Sequence, residues 1–359
     1  MVNTIIFDWG DTLMMNMPGA SGPMADWPEV RAVAGAEQAL AQLAAKYRLA
    51  MATNASDSSV RQVRKALARV KLDGYITAIY TVHELKAMKP NPVFYQKLDM
   101  HLGCQPHEAV MVGDSFGADI LPAHQVGMLT VWYNPAERAC HPLPPVQDDE
   151  VNDMALLPQV LAHREKPSGA LPGVDQCLGW LQERALPPNI VAHSQRVAGA
   201  AYLLACWLRQ SGVAVDPLLA HRGGLLHDLA KIPPAGSVIH QTNHGEGAAR
   251  LLTTYGQPEL AQMARRHMLF SLNDPEDAPQ SWEEKLVYFA DKLVEGSEIV
   301  PFEERLQALR RRYKMDDEQH PIREIVPALE NLQAEICRAL HIPPADLVPK
   351  LRSHLFKGV

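Results

Sequence analysis

Short apolar runs recur between amphipathic stretches through the first third of the chain, and this rhythm restricts the fold more than any other feature. The runs are Thr4–Phe7, Leu49–Thr53, Ala78–Thr81, Ala109–Val112 and Leu129–Trp132. Runs of this length and near-continuous apolar character mark strands covered on both faces. Stretches with apolar residues at helical spacing, such as Ala36–Lys46 and Ser58–Ala68, lie between them. The alternation predicts an α/β doubly wound parallel sheet. From Asp175 onward the strand signal stops. Helices are predicted over Asn189–Arg209, Pro217–Ala230, Gly245–Tyr255, Glu259–His267, Trp282–Glu295, Ile322–Leu340 and Pro344–Leu355, so the second part is all-α. A chain of 359 residues exceeds what one core supports. The expected division is 1–163, a Pro/Gly-rich linker at 164–174, a helical domain at 175–315 and a helical extension at 316–359.

Charge and cysteine content narrow the setting. A net charge of −7 supplies no general reservoir for nucleic-acid binding, although a local basic groove stays open. Five scattered cysteines without a C-x-x-C pair fit reduced thiols. No apolar run approaches a membrane span and Asn3–Phe7 lacks a leader's basic start, so the expected location is the cytoplasm, with no membrane partner.

Ligands of an open parallel sheet bind beyond the carboxyl ends of its strands, and four such exits carry reactive groups. Phe7 leads into Asp8-Trp9-Gly10-Asp11, Ala52 into Thr53-Asn54, Ala87 into Met88-Lys89-Pro90, and Val112 into Gly113-Asp114-Ser115 with Asp119 beyond. A carboxylate can attack a phosphoryl group when a cation offsets the repulsion between two anions. Asp8, Asp114, Lys89 and Thr53 supply the required acids and donors. In this order they resemble the haloacid dehalogenase-like superfamily over roughly residues 1–163. The resemblance implies Asp8 as nucleophile, Asp114 and Asp119 with Asp8 and the backbone carbonyl of Gly10 as the Mg²⁺ site, and Thr53, Asn54 and Lys89 as phosphate-binding residues.

One position departs from that pattern. The family's phosphatases usually place a general acid two residues after the nucleophile, where this chain has Gly10; the next acid is Asp11. Asp11 has two readings, a shifted catalytic acid or a group that caps the following turn. The short gaps between Asp8, Thr53 and Lys89 leave no room for a large inserted cap, so the domain is expected to be nearly capless, with Met14–Trp27 as a short flap.

Six of the fifteen histidines fall between His193 and His267. His193 shares a helical stripe with Ile190, Val197, Leu204 and Leu208 and so faces a core. His227-Asp228 closes the apolar run Leu225-Leu226, and two polar groups at a buried helix end need a partner. Together with His244-Gly245, Arg266-His267 and Ala290-Asp291-Lys292, these segments resemble the HD superfamily of metal-dependent phosphohydrolases. They are particularly similar to its bacterial symmetrical diadenosine tetraphosphate hydrolases over roughly residues 175–315. The resemblance implies His193, His227, Asp228 and Asp291 as primary ligands of a transition metal such as Fe, Mn, Co, Ni or Zn. His244 and His267 either complete a second metal position or contact phosphate. Asp228 is also the implied catalytic residue and Lys231 a phosphate contact. His221 and His240 match no motif.

Two phosphoryl-directed sites predict a bifunctional phosphohydrolase acting on a small phosphorylated substrate. The HD site would cleave a phosphodiester or phosphoanhydride of a nucleotide, and the Asp8 site would remove a phosphate monoester. Two alternatives stay open: processing of nucleic-acid (RNA) ends, and an HD enzyme carrying an inactive, phosphate-sensing first domain.

Overall fold

A computed structural model describes residues 2–166, 170–231, 244–312 and 322–355. His240, part of the expected linker and the boundary expected at 315/316 lie outside these residues. The described chain divides into two compact units, Met1–Ala136 with Val146–Ala170, and Glu137–Pro145 with Leu171–Val359. Glu137–Pro145 thus belongs to the second unit although it precedes the expected linker. Its backbone explains this: Cys140 N donates to the Tyr202 hydroxyl at 3.0 Å, and the Pro145 carbonyl accepts from Arg222 at 3.0 Å.

The first unit is a six-stranded parallel sheet. Its strands are β1 (Thr4–Phe7), β2 (Arg48–Ala52), β3 (Ala78–Tyr80), β4 (Ala109–Gly113), β5 (Leu129–Tyr133) and β6 (Asp149–Val151), in the order β3-β2-β1-β4-β5-β6. Successive side chains point to opposite faces, so Ile5 and Phe7 join one core cluster and Ile6 the other. Helices α1 (Ala36–Leu43), α2 (Val60–Arg69) and α6 (Leu157–Arg164) cover the first face, and α3 (Val82–Leu85), α4 (Pro92–Leu102) and α5 (Leu121–Gln125) the second. Strand order reverses between β1 and β4, which opens a crevice where Asp8 and Asp114 emerge side by side. No additional domain interrupts the chain between Asp8 and Lys89: Met14–Trp27 is a loop with one 3-10 turn at Met24–Asp26, held to α2 by Arg69 through the carbonyls of Trp27 at 2.7 Å and Pro28 at 2.9 Å.

The second unit is helical. It contains α7 (Val174–Glu183), α8 (Pro188–Gln210), α9 (Pro217–Leu226), α10 (His244–Thr254), α11 (Pro258–Arg266), α12 (Trp282–Asp291), α13 (Phe302–Arg312), α14 (Ile322–Ala339) and α15 (Pro344–Leu355). The central α8 is apolar around most of its circumference and packs against α9 and α12, as a buried helix must. Asp216 caps α9 by accepting from the Leu218 and Leu219 amides at 2.8 and 3.1 Å, and Ser281 with Glu284 forms a capping box on α12. Two expected helices end early. α9 stops at Leu226 and the chain turns through His227–Ala230, while α12 stops at Asp291 and is followed by an antiparallel hairpin, β7 (Val294–Glu295) and β8 (Glu298–Ile299). Gly296, with φ 62°, supplies the left-handed residue of the hairpin turn.

Gly224 sets the spacing of the two innermost helices. A Cβ there would lie 2.7 Å from Ala198 Cα and 2.9 Å from Ala198 N, both backbone atoms of α8. Gly224→Ala should therefore push α9 off α8 and destabilise the second unit by about 1–3 kcal/mol, the usual range for overpacking. Chemical unfolding followed by a probe in that unit reads this directly; an unchanged midpoint would contradict the close approach.

Candidate functional sites

In the first unit the strand exits bring the reactive groups together. Lys89 Nζ, fully buried, donates to Asp8 Oδ1 at 2.5 Å, to Asp119 Oδ1 at 2.6 Å and to the Ala52 carbonyl at 3.1 Å. Asp8, Asp114 and Asp119 each offer an oxygen within 4.8 Å of the others, a spacing suited to a divalent cation. Burial first, and Asp8 second, push the Asp114 carboxyl up to about 6. Burial pushes Asp119 up to about 7, with Lys89 opposing and Asp8 adding to the shift. One ammonium does not neutralise three acids, and a cation would complete the balance.

Glycine is required behind this cluster. The π-type turn Phe116–Ile120 folds Asp119 back against β4, and a Cβ on Gly113 would sit 2.5 Å from its carboxyl group. Thr53 is buried, with its hydroxyl accepting from the Ala55 amide at 3.1 Å. Asn54, expected to contact phosphate, also fixes the lysine backbone: its side-chain oxygen accepts from Lys89 N at 2.8 Å and its amide donates to the Lys89 carbonyl at 2.9 Å. Two positioning groups have no role in the sequence reading. The Thr12 hydroxyl donates to Asp114 Oδ1 at 3.2 Å and accepts from Asp114 N at 3.1 Å, and the Tyr95 hydroxyl donates to the Ala118 carbonyl beneath Asp119. Thr12 is an ordinary neighbour of Asp11 by sequence, and only the sheet register pairs it with Asp114.

Asp11 is exposed, has φ 55° and accepts from Asn16 twice, at 2.9 Å from its backbone amide and 2.9 Å from its side chain. Both carboxylate oxygens are committed to the turn, the geometry of the capping reading. Gly10 forms a bridge with Met14, and a Cβ there would meet Asn16 Nδ2 at 2.7 Å. The Asn16 carboxamide therefore occupies the space into which a side chain at position 10 would project.

The second cluster lies where α8, α9, α10, α11 and α12 converge. Asp228 is fully buried, with His244 Nε2 and His267 Nε2 at 3.2 and 3.5 Å from Oδ1, and Lys231 Nζ at 2.5 Å and His227 Nε2 at 3.4 Å from Oδ2. Asp291 Oδ1 lies 2.9 Å from His193 Nε2 and 3.7 Å from His227 Nε2. The opposite ring nitrogens are tied to backbone carbonyls: His193 Nδ1 to Gly296 at 2.9 Å, His227 Nδ1 to Gly224 at 2.7 Å and His267 Nδ1 to Ala264 at 2.6 Å. Such anchoring fixes tautomers and aims the Nε2 lone pairs inward, as metal-binding imidazoles require. Lys292, unassigned by the sequence reading, bonds the second oxygen of Asp291 and the His267 carbonyl at 3.0 Å.

Donor chemistry fits a metal. His227 Nε2 and Asp228 Oδ1 are buried without a hydrogen-bond partner, and His267 Nε2, a lone-pair nitrogen once Nδ1 donates, faces His244 Nε2 at 3.2 Å. Ring nitrogens and a carboxylate gathered this closely are suited to sharing a cation. His193, His227 and Asp228 form one candidate position and Asp228, His244 and His267 another, with Asp228 common to both. Without metal a proton serves: burial alone would lower His227, but Asp228 and Asp291 outweigh it and raise it to about 9.

The acid cluster of the first unit makes a pH prediction. Because Asp114 and Asp119 are raised from 3.8 to about 6 and about 7, the folded state holds protons that the unfolded chain releases. Without divalent cations, stability should be greatest below about pH 4 as far as these groups are concerned and should fall as pH rises toward about 7. A divalent cation should restore stability at neutral pH more than at about pH 5. Melting curves with chelator and with excess cation check this, and a cation effect independent of pH would contradict it.

Comparison with known proteins follows the same division. Residues 21–133 match the model for haloacid dehalogenase-like hydrolases and residues 190–295 match that for the HD domain. An uncharacterized protein of Methanocaldococcus jannaschii is 33% identical over 135 residues, which cover 34% of this chain and 77% of that one. A pyrimidine 5′-nucleotidase of Streptococcus pneumoniae is 34% identical over 70 residues, 19% of this chain and 30% of that enzyme, so the chain spans less than a third of its length. An uncharacterized protein from Listeria monocytogenes serotype 4b has a crystal structure with a TM-score of 0.41 and 26% identity, covering 45% of this chain and 97% of that one. Through its first unit the chain belongs to the haloacid dehalogenase-like hydrolases, and its second unit carries an HD domain.

Proposed function

We propose that the chain is a two-site phosphohydrolase in which the HD centre cleaves a phosphodiester or phosphoanhydride of a nucleotide-type substrate and the Asp8 site removes a phosphate monoester. The observation that carries this reading is the pair of separate clusters, each with carboxylates that need a divalent cation and a lysine beside them. The similarity of the first unit to a pyrimidine 5′-nucleotidase supports a nucleotide.

At the first site Asp8 is the nucleophile: its free oxygen forms a bond to phosphorus as the ester oxygen departs with the bonding electrons. Water then attacks the aspartyl-phosphate and returns the carboxylate and inorganic phosphate. Lys89 holds Asp8 in place and offsets charge on the phosphoryl oxygens, while Thr53 donates to them. Asp8, Asp114, Asp119 and the Gly10 carbonyl would hold Mg²⁺, which supplies neutralisation of the transferred group when bound. With Asp11 tied to Asn16, the leaving oxygen takes its proton from water unless that pair opens.

At the second site His193, His227, Asp228 and Asp291 would hold a transition metal, with Asp228, His244 and His267 as a second position; bound metal supplies Lewis acidity at the phosphate. Asp228 orients the attacking water. Lys231, whose side chain is 40% exposed, leaves Asp228 to meet substrate phosphate. A second reading, in which the first site senses phosphate without turning it over, draws support from Asn16 standing in front of Gly10.

Asp8→Asn should abolish hydrolysis of p-nitrophenyl phosphate, by at least about a thousandfold, and leave hydrolysis of bis-p-nitrophenyl phosphate unchanged. Asp228→Ala should do the reverse and lose its transition metal on elemental analysis. Loss of both activities in either folded variant would refute separate sites, and no monoesterase in the parent protein with Mg²⁺ present would favour the sensor.

A further inference from the structure

His221 belongs to neither cluster and matches no motif, yet it is only 2% exposed. Its neighbour determines its protonation. Arg222 Nη1 lies 2.8 Å from His221 Nδ1, and because a guanidinium only donates, Nδ1 is the acceptor and the ring proton sits on Nε2. Burial, and then the Arg222 charge, hold the ring's pKa well below its ordinary value and keep it neutral. Arg222 is itself fully buried and donates to the Pro172 and Pro145 carbonyls at 3.1 and 3.0 Å, which locks both side chains. Among the described residues the Nε2–H of His221 meets no acceptor.

His221 is one of the residues that line a cavity of about 480 Å³ within the second unit. Leu178, Ala192, Leu225 and Leu355 make apolar walls, Arg196 and Ser297 stand at the polar side, and among the described residues no Asp or Glu lines the space. The volume is typical of a small-molecule site, and a fixed buried donor inside apolar walls is the kind of group that orients a ligand. An anionic acceptor suits it, because Arg196 lies on the wall and Arg222 directly behind the imidazole. Arg196 Nε donates to the Ser297 carbonyl at 2.8 Å, and the adjoining Gly296 carbonyl accepts from His193 Nδ1. The cavity and a metal-binding histidine thus share one turn.

We propose that this cavity is a ligand site for a small apolar carboxylic acid, whose body rests on Leu178, Ala192, Leu225 and Leu355 and whose carboxylate accepts from His221 Nε2–H beside Arg196. Calorimetric titration of the full chain with octanoate, and with octanol as the same body without the charge, tests it. Octanoate should bind saturably at one site, with octanol weaker by about tenfold or more, since charge-assisted hydrogen bonds are the stronger kind. Ala192→Trp fills the cavity from a half-buried position without touching His221 or Arg222, and should weaken octanoate by about tenfold or more. Leu178→Trp, from α7, gives the same reading should the first variant fail to fold. Absence of saturable binding, or equal binding to a folded filled variant, overturns the site, and octanol binding as tightly as octanoate overturns the carboxylate.

Discussion

A carboxylate withdrawn from water must find positive charge, and both units are organised around that demand. In the first, the Lys89 ammonium stands between Asp8 and Asp119 with its own backbone clamped by Asn54. In the second, Asp228 and Asp291 gather four imidazoles, Lys231 and Lys292 at the meeting point of five helices. Neither arrangement is an economical way to stabilise a fold, since buried ion pairs rarely outperform apolar packing. Their concentration at a sheet switch point and at a helix convergence is what gives each unit its chemistry.

The fold was legible wherever one local pattern had one meaning. The runs at Thr4–Phe7 and Ala109–Val112 became β1 and nearly all of β4, because a strand covered on both faces leaves a continuous apolar signature. β6 was not legible: Asp149-Glu150-Val151 is a short edge strand whose first two residues are charged and half-buried. The turn at His227–Ala230 was read as helix because its composition is helical, and tertiary demand decided otherwise: ending α9 early lets His227 and Asp228 turn into the cluster.

Site residues divide in a similar way. Those with an unusual residue type at a strand or helix end, such as Asp8, Lys89 and His227-Asp228, stood out by position alone. Groups that act through distant partners did not. Thr12 reaches Asp114 only because β1 and β4 are neighbours, and Asn54 turns out to hold Lys89 because β2 and the loop before α4 run together. The sequence offered Asn16 no visible purpose, since its meaning depends on the conformation of Asp11.

The Asp11–Asn16 pair also bears on how such a site can change over generations. A side chain introduced at position 10 meets a carboxamide already anchored in its space, and removing that carboxamide leaves Asp11 with the Asn16 backbone amide as its one remaining donor from that residue. Positions 10 and 16 are therefore coupled: a larger group at the first asks for a smaller one at the second, and the smaller one loosens the hold on Asp11.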